Sequence, residues 1–301
     1  MKKALILIVL LLMVFIGEIL MYENNTSAQD QEPIISVTSY PLFEIASKLI
    51  GQKVQVHKLI PFGVEAHTYT PSVKTMAIIS KSKLFIYNGL GMEPWIKKPY
   101  ANQINMSEFI QLNRINEVHD DGHHHENEGV DPHYWLDIDN MIRMTVLMSE
   151  KLILNFPEHK DLIDKNAKSY INELKALQEE YKEGLSMCKR HEIVVNHNAF
   201  GYLAQRYNFA VHSVTGLSAD EQASAKKMKE ITDLVRDEGI KTVFFERFIS
   251  PKIAQTISKE TGVEIQSLQP LANVTKDEAS KGYIILMREN LRKLSVAMEC
   301  L

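Results

Sequence analysis

The stretch from Glu158 to about Ser186 constrains the fold more than any other. Ile163, Ala167, Tyr170, Leu174, Leu177 and Tyr181 recur at alternating spacings of four and three, which is one face of a helix. Pro157 breaks the pattern that precedes it, and nothing of the kind recurs inside. At 1.5 Å per residue such a helix spans roughly 40 Å, more than a small domain is wide. Glu173, Lys175, Glu179 and Lys182 then form its solvated face. Strand patterns lie on both sides of this stretch and none within it, so it reads as a strut between two lobes.

Before the strut the chain alternates strand and helix. Ile34 to Ser39 is β-branched and apolar, and Pro41 opens a helix that Gly51 ends. Lys53 to Ile60 is a second strand, Ser72 to Ser80 a helix, and Leu84 to Asn88 a third strand. A helix runs from Asp137 or Asp139 to Asn155, capped by an acidic residue. After the strut the rhythm resumes. Strands are expected at Glu192 to Val195, Phe209 to Val214, Thr242 to Phe245 and Val263 to Leu268. Helices are expected through Tyr202 to Tyr207 and over Asp220 to Asp237, Pro251 to Glu260 and Asp277 to Glu299. The order predicts an α/β fold: two α/β lobes with parallel sheets, joined by a single long rigid helix. The expected divisions are 1–31 (leader), 32–157 (first lobe), 158–188 (linking helix) and 189–301 (second lobe).

The leader has its own signature. Lys2 and Lys3 precede an uncharged apolar run from Ala4 to Gly17, and Thr26-Ser-Ala28 offers a cleavage point before Gln29. Glu18 interrupts the run and Ile19 to Tyr22 extend it, so a cleaved signal and an uncleaved membrane anchor both fit. No cysteine follows the run to carry a lipid. Either form predicts a domain working outside the cytoplasmic membrane. Cys188 and Cys300 are too few for a disulfide framework; they are one extracytoplasmic bridge or two separate thiols. The net charge of −4 and the lack of a basic stripe argue against nucleic acid as a partner. Asn24, Asn105 and Asn273 begin N-x-S/T sequons.

Three histidines stand in similar surroundings. His67 lies between Pro61 and Pro71, His133 follows Asp131-Pro132, and His197 follows the strand ending at Val195. Ligands of parallel sheets bind in loops at strand carboxyl ends. Two of these histidines belong to the first lobe and one to the second, so a site using all three lies between the lobes. Three imidazole nitrogens with an open fourth position suit Zn2+, while Mn2+ favours more oxygen. A run containing His119, His123, His124 and His125 precedes His133 and reads as a looser collecting loop. His57, His159, His191 and His212 are read as surface or structural residues.

A set of motifs sharpens this reading. Pro61-Phe-Gly-Val-Glu-Ala-His67-Thr-Tyr69, Gly89-Leu-Gly-Met-Glu-Pro-Trp95, Asp131-Pro-His-Tyr-Trp-Leu-Asp137, Asn196-His-Asn-Ala-Phe-Gly-Tyr202, Gly216-Leu-Ser218 and Phe244-Phe-Glu246 occur in this order. Together they resemble the metal-receptor subunits of zinc and manganese uptake transporters, the cluster A-I substrate-binding proteins of ABC systems, from residue 34 to the C-terminus. The resemblance implies metal bound between two lobes, His67, His133 and His197 as ligands, and delivery of the ion to a membrane permease by a monomeric receptor. It also implies that the histidine run is a secondary, weaker site, as in zinc members. Gln269 stands in Leu268-Gln-Pro-Leu271 where the family carries an aspartate ligand. Water, Glu65 or Glu246 could take that fourth place, and Glu246 reads equally as part of a hydrogen-bond network. Two other classes share some of these features. A secreted zinc-dependent hydrolase would use the open position to activate water. Against it, His125-Glu126 and His191-Glu192 lack a second histidine four residues on. A metal buffer or adhesin of the same fold would share every motif.

Overall fold

The computed structural model describes residues 34–113, 130–217 and 223–301. The leader, the histidine run at His119 to His125 and Ser218 lie outside the described residues. Ile34–Leu301 is one compact unit.

Two four-stranded sheets form its frame. β1 (Ile34–Val37), β2 (Gln55–Lys58), β3 (Leu84–Tyr87) and β4 (Gln103–Asn105) lie in the order β2-β1-β3-β4. β5 (Glu192–Val195), β6 (Ala210–Ser213), β7 (Thr242–Phe245) and β8 (Glu264–Ser267) lie in the order β6-β5-β7-β8. All six pairings are parallel, so each sheet needs helical crossovers and buries its central strands. β1 and β3 of the first sheet, and β5 and β7 of the second, are the apolar strands. The α/β expectation of two parallel-sheet lobes holds. β4 was absent from the sequence reading. It has three residues, only Ile104 among them apolar, and it pairs at the sheet edge with Phe85, Ile86 and Tyr87.

The helices are α1 (Tyr40–Ile50), α2 (Val73–Lys81), α3 (Ile138–Asn155), α4 (Lys160–Gly184), α5 (Gly201–Tyr207), α6 (Ala225–Asp237), α7 (Lys252–Thr261), α8 (Lys276–Lys281) and α9 (Tyr283–Ala297). α4 is the strut, with 25 residues, and its buried face is Ile163, Ala167, Tyr170, Leu174, Leu177 and Tyr181. It is fastened to both lobes. Asn166 Nδ2 donates to Leu49 O at 3.0 Å near one end. Tyr181 Oη donates to Met287 O at 2.7 Å near the other. No helix among the described residues is long and apolar enough to cross a membrane.

The final helix expected over Asp277 to Glu299 is two. Gly282 sits at φ 86°, outside helical space, and Glu44 Oε1 accepts the Tyr283 N–H at 3.2 Å. A Cβ at Gly282 would lie 3.2 Å from that same oxygen, so the break needs glycine. Cys188 and Cys300 are bonded to each other, which settles the two alternatives for them. Backbone bonds from Arg190 N to Met298 O and from Leu301 N to Met187 O close the same junction.

Candidate metal centre

His67, His133 and His197 meet at one point between the two sheets. His67 Nε2 lies 3.2 Å from His133 Nε2, and His197 Nε2 lies 3.4 Å from it. One nitrogen from each ring falls within 4.8 Å of the others. A tetrahedral cation with Zn–N bonds of 2.0–2.1 Å would hold its nitrogens roughly 3.3 Å apart, close to the spacings found. His133 and His197 are buried; His67 is partly exposed.

Each ring is aimed by its surroundings. Asp131 Oδ1 accepts both the His133 backbone N–H at 2.9 Å and His133 Nδ1 at 2.8 Å. That bond puts the proton on Nδ1 and turns the Nε2 lone pair toward the other two rings. His197 Nδ1 is in contact with Glu246 Oε1, so the same argument applies to the second lobe. Glu65 Oε1 accepts the His67 backbone N–H at 3.0 Å. Glu246 is therefore the network residue that the sequence offered as one of its two roles. Asp131, part of the Asp131 to Asp137 motif, is a positioning residue that the motif alone does not assign. The signal was available, because a carboxylate two residues before a histidine can take both its N–H groups.

The stretch around His133 is held from several sides. Trp135 Nε1 donates to Pro270 O at 2.7 Å, and Tyr283 Oη donates to Trp135 O at 2.7 Å. Tyr202 Oη donates to Asp131 O at 3.0 Å. Tyr134 Oη donates to Asn88 O at 3.0 Å. The turn at Asn88 is in turn built on Glu93, whose buried carboxylate accepts Asn88 N and Gly89 N, each at 3.0 Å. The Gly89 to Trp95 motif thus serves as scaffold beneath the histidine. His133 is the N-cap of a short 3-10 turn, Tyr134–Leu136, and follows the single bridge residue Val130 rather than a strand.

Burial acts differently on the two buried rings. Burial, reinforced by the charges that His197 and His67 would carry, drives His133 well below the ordinary histidine value. It stays neutral at physiological pH, as a ligand must. Burial also opposes charge on His197, but the Glu246 carboxylate outweighs it and the net direction is up. Burial pushes Glu246 up as well, against the pull of His197. The Glu246 carboxylate thus favours a proton on Nδ1, and a cation binding at His197 Nε2 has to displace the second proton of the charged ring.

Beside the rings is a cavity of about 10 Å³, whose walls include Glu65, His67, His197, Glu246 and Gln269. That is room for roughly one water. Gln269 is fixed by a two-point backbone pairing with Asn290, at 3.1 and 2.7 Å. It lines the same small cavity as Glu65, His67 and Glu246. Among the described residues the metal-ligating cluster takes in no other histidine. His212 bonds Glu192 at 3.0 Å, and His159 lies beside Glu158. Asn273, one of the sequon residues named above, is buried with its amide bonded.

Comparison with known proteins gives concordant results. Residues 35–297 match the family model described as "ZnuA: Zinc-uptake complex component A periplasmic". The zinc-binding lipoprotein AdcA of Streptococcus pneumoniae is 33% identical over 288 residues, covering 90% of this chain and 57% of that protein. The chain thus spans little more than half the length of that relative. The high-affinity zinc uptake system protein ZnuA of Bacillus subtilis is 30% identical over 273 residues, covering 86% of each. Among solved structures, the Zn(II)-bound ZnuA-like domain of S. pneumoniae AdcA superposes with a TM-score of 0.73 at 32% identity, over 89% of this chain and 99% of that one. The laminin-binding protein Lmb of Streptococcus agalactiae, described as having adhesin and metal transporting activity, gives 0.80 at 28% identity, over 89% and 100%.

Proposed function

The chain belongs to the family of zinc-uptake complex component A, and we propose that it is the extracytoplasmic receptor of an ABC uptake transporter, capturing Zn2+ through His67, His133 and His197. The ion is cargo, handed to a membrane permease. The observation that carries this reading is the spacing of the three Nε2 atoms, 3.2 and 3.4 Å about His133, which fits one small tetrahedral cation. Three imidazole nitrogens, with Gln269 where the family carries an aspartate, favour zinc over manganese, which prefers oxygen donors. The periplasmic description of the family and the lipoprotein naming of AdcA support a location outside the cytoplasmic membrane.

The arrangement suits binding rather than turnover. A zinc hydrolase needs a carboxylate poised over the metal-bound water as general base. Asp131 and Glu246 each face an imidazole Nδ1, and Glu65 takes a backbone N–H. All three carboxylates orient ligands. The test is zinc calorimetry on the metal-free protein. One tight ion per chain is expected, and His133→Ala should lose affinity by orders of magnitude while keeping its far-UV circular dichroism. Unchanged affinity in that variant would refute the assignment.

A further inference from the structure

The loop that carries His67 is tied to the other lobe by the side chain of Asn273 and the backbone of Val274. Asn273 lies beyond β8, more than two hundred residues from the loop, and is 4% exposed. Its Nδ2 donates to Pro61 O at 2.6 Å and to Val64 O at 2.7 Å. Its Oδ1 accepts from Lys58 Nζ at 2.7 Å. The next residue adds a fourth bond, from Gly63 N to Val274 O at 3.0 Å. Lys58 reaches this point from the end of β2, also contacts Ile60 O, and lies over the Phe62 ring at 4.3 Å.

Every hydrogen-bonding atom of the Asn273 amide is thus engaged, and all its partners lie in the ten residues before His67. Lys58 also fixes which way round the amide sits. An ammonium can only donate, so it selects Oδ1 and leaves both Nδ2 hydrogens for the two carbonyls. Val64, the last anchored residue, is three positions from His67. Pro61 and Val64 bracket the turn that sets where the imidazole can reach. His133 and His197 have buried carboxylates on their Nδ1 atoms. His67 is the most exposed of the three, and its loop is the one the Asn273 amide holds.

We propose that Asn273 and Lys58 form a latch that positions His67, so that the second lobe sets ion affinity and release through this loop without touching the ion. The proposal rests on His67 being a ligand. Asn273 and Lys58 are positioning residues in this scheme, and opening the latch removes one nitrogen of three.

Asn273→Asp is the sharpest test. It keeps the shape and the partner of Lys58, now as an ion pair, and removes the two N–H donors that hold Pro61 and Val64. The metal-free variant should melt within a few degrees of wild type. Zinc transfer to excess chelator should be about tenfold faster or more. The visible spectrum of the Co2+-loaded protein should lose intensity or shift, because that spectrum reports ligand geometry, which a purely structural joint would not alter. Lys58→Met is the second variant. It leaves both donors but no longer orients the amide, and should accelerate release in the same direction to a smaller extent. Wild-type release rates and Co2+ spectra in folded Asn273→Asp, or in Lys58→Met should the first not fold, would overturn the latch. His67→Ala run in parallel separates the two ideas. If it retains the tight ion, the ligand assignment falls and the latch with it. If it loses the ion while the latch variants behave as wild type, only the latch falls.

Discussion

Replacing Asp131 by Asn separates the charge behind a ligand from the hydrogen bonds that orient it. In the native protein one buried oxygen, Asp131 Oδ1, accepts from both His133 N and His133 Nδ1 at 2.9 and 2.8 Å. Asn offers one amide oxygen in the same place, so both bonds can persist and the ring keeps its direction. What disappears is the negative charge that makes Nε2 a stronger donor and offsets the cation. Losses from such outer-shell changes run about 10- to 100-fold in metal affinity, or roughly 1.4 to 2.8 kcal/mol. The fold should tolerate the change, since Tyr202 bonds the Asp131 carbonyl rather than the side chain. The assay is competition with a chromophoric zinc chelator at fixed pH, with thermal melting of the metal-free protein as control. An affinity within about twofold of wild type would refute the argument that the carboxylate tunes the ligand. A loss beyond about a thousandfold with the fold intact would make Asp131 a ligand in its own right rather than an orienting residue.

Two further outcomes concern stability. Cys188 and Cys300 are 112 residues apart, so their bond removes loop entropy worth about 5 kcal/mol from the unfolded chain; urea midpoints should fall on adding reductant and in the double Ala variant, and an unchanged midpoint would contradict this. Burial lowers Lys58 from 10.5 to about 7. Between those values the unfolded chain binds more protons than the folded one, so Lys58 adds stability as pH rises through this window, by at most about 1.4 kcal/mol per pH unit. Below pH 7 both states are protonated and the group contributes no slope; Lys58→Met should flatten the rise in a urea series, and an identical slope in both proteins would count against it.

Much of this architecture could be read from residue order because its causes are local. The buried face of α4 is the very set of positions that its three–four spacing picks out, since a long helix declares its period over many turns. Short apolar runs bounded by turn residues marked β1, β3, β5 and β7. β4 escaped because three edge residues carry too little apolar signal, and it forms only by adding to β3. The break at Gly282 depends on Glu44, far away in sequence, accepting the Tyr283 N–H. The three histidines were legible from their loops and motifs. The groups that aim them were legible only where they are near in sequence: Asp131 is two residues from His133, whereas Glu246 is forty-nine from His197 and needs the β5–β7 pairing to reach it. Asn273 could not be found at all, since nothing in Asn273-Val-Thr275 but a sequon distinguishes it.

The unequal burial of the three imidazoles has a consequence for how an ion can leave. Two rings sit in the interior with carboxylates at their backs, and the third stands partly in solvent. A donor arriving from outside meets the partly exposed ring first. It can exchange with that nitrogen while the two sealed ones keep their grip, then take the remaining bonds in succession. On the proposed reading, a cation bound here would change hosts one bond at a time, and its passage would avoid the large hydration energies of a bare divalent ion.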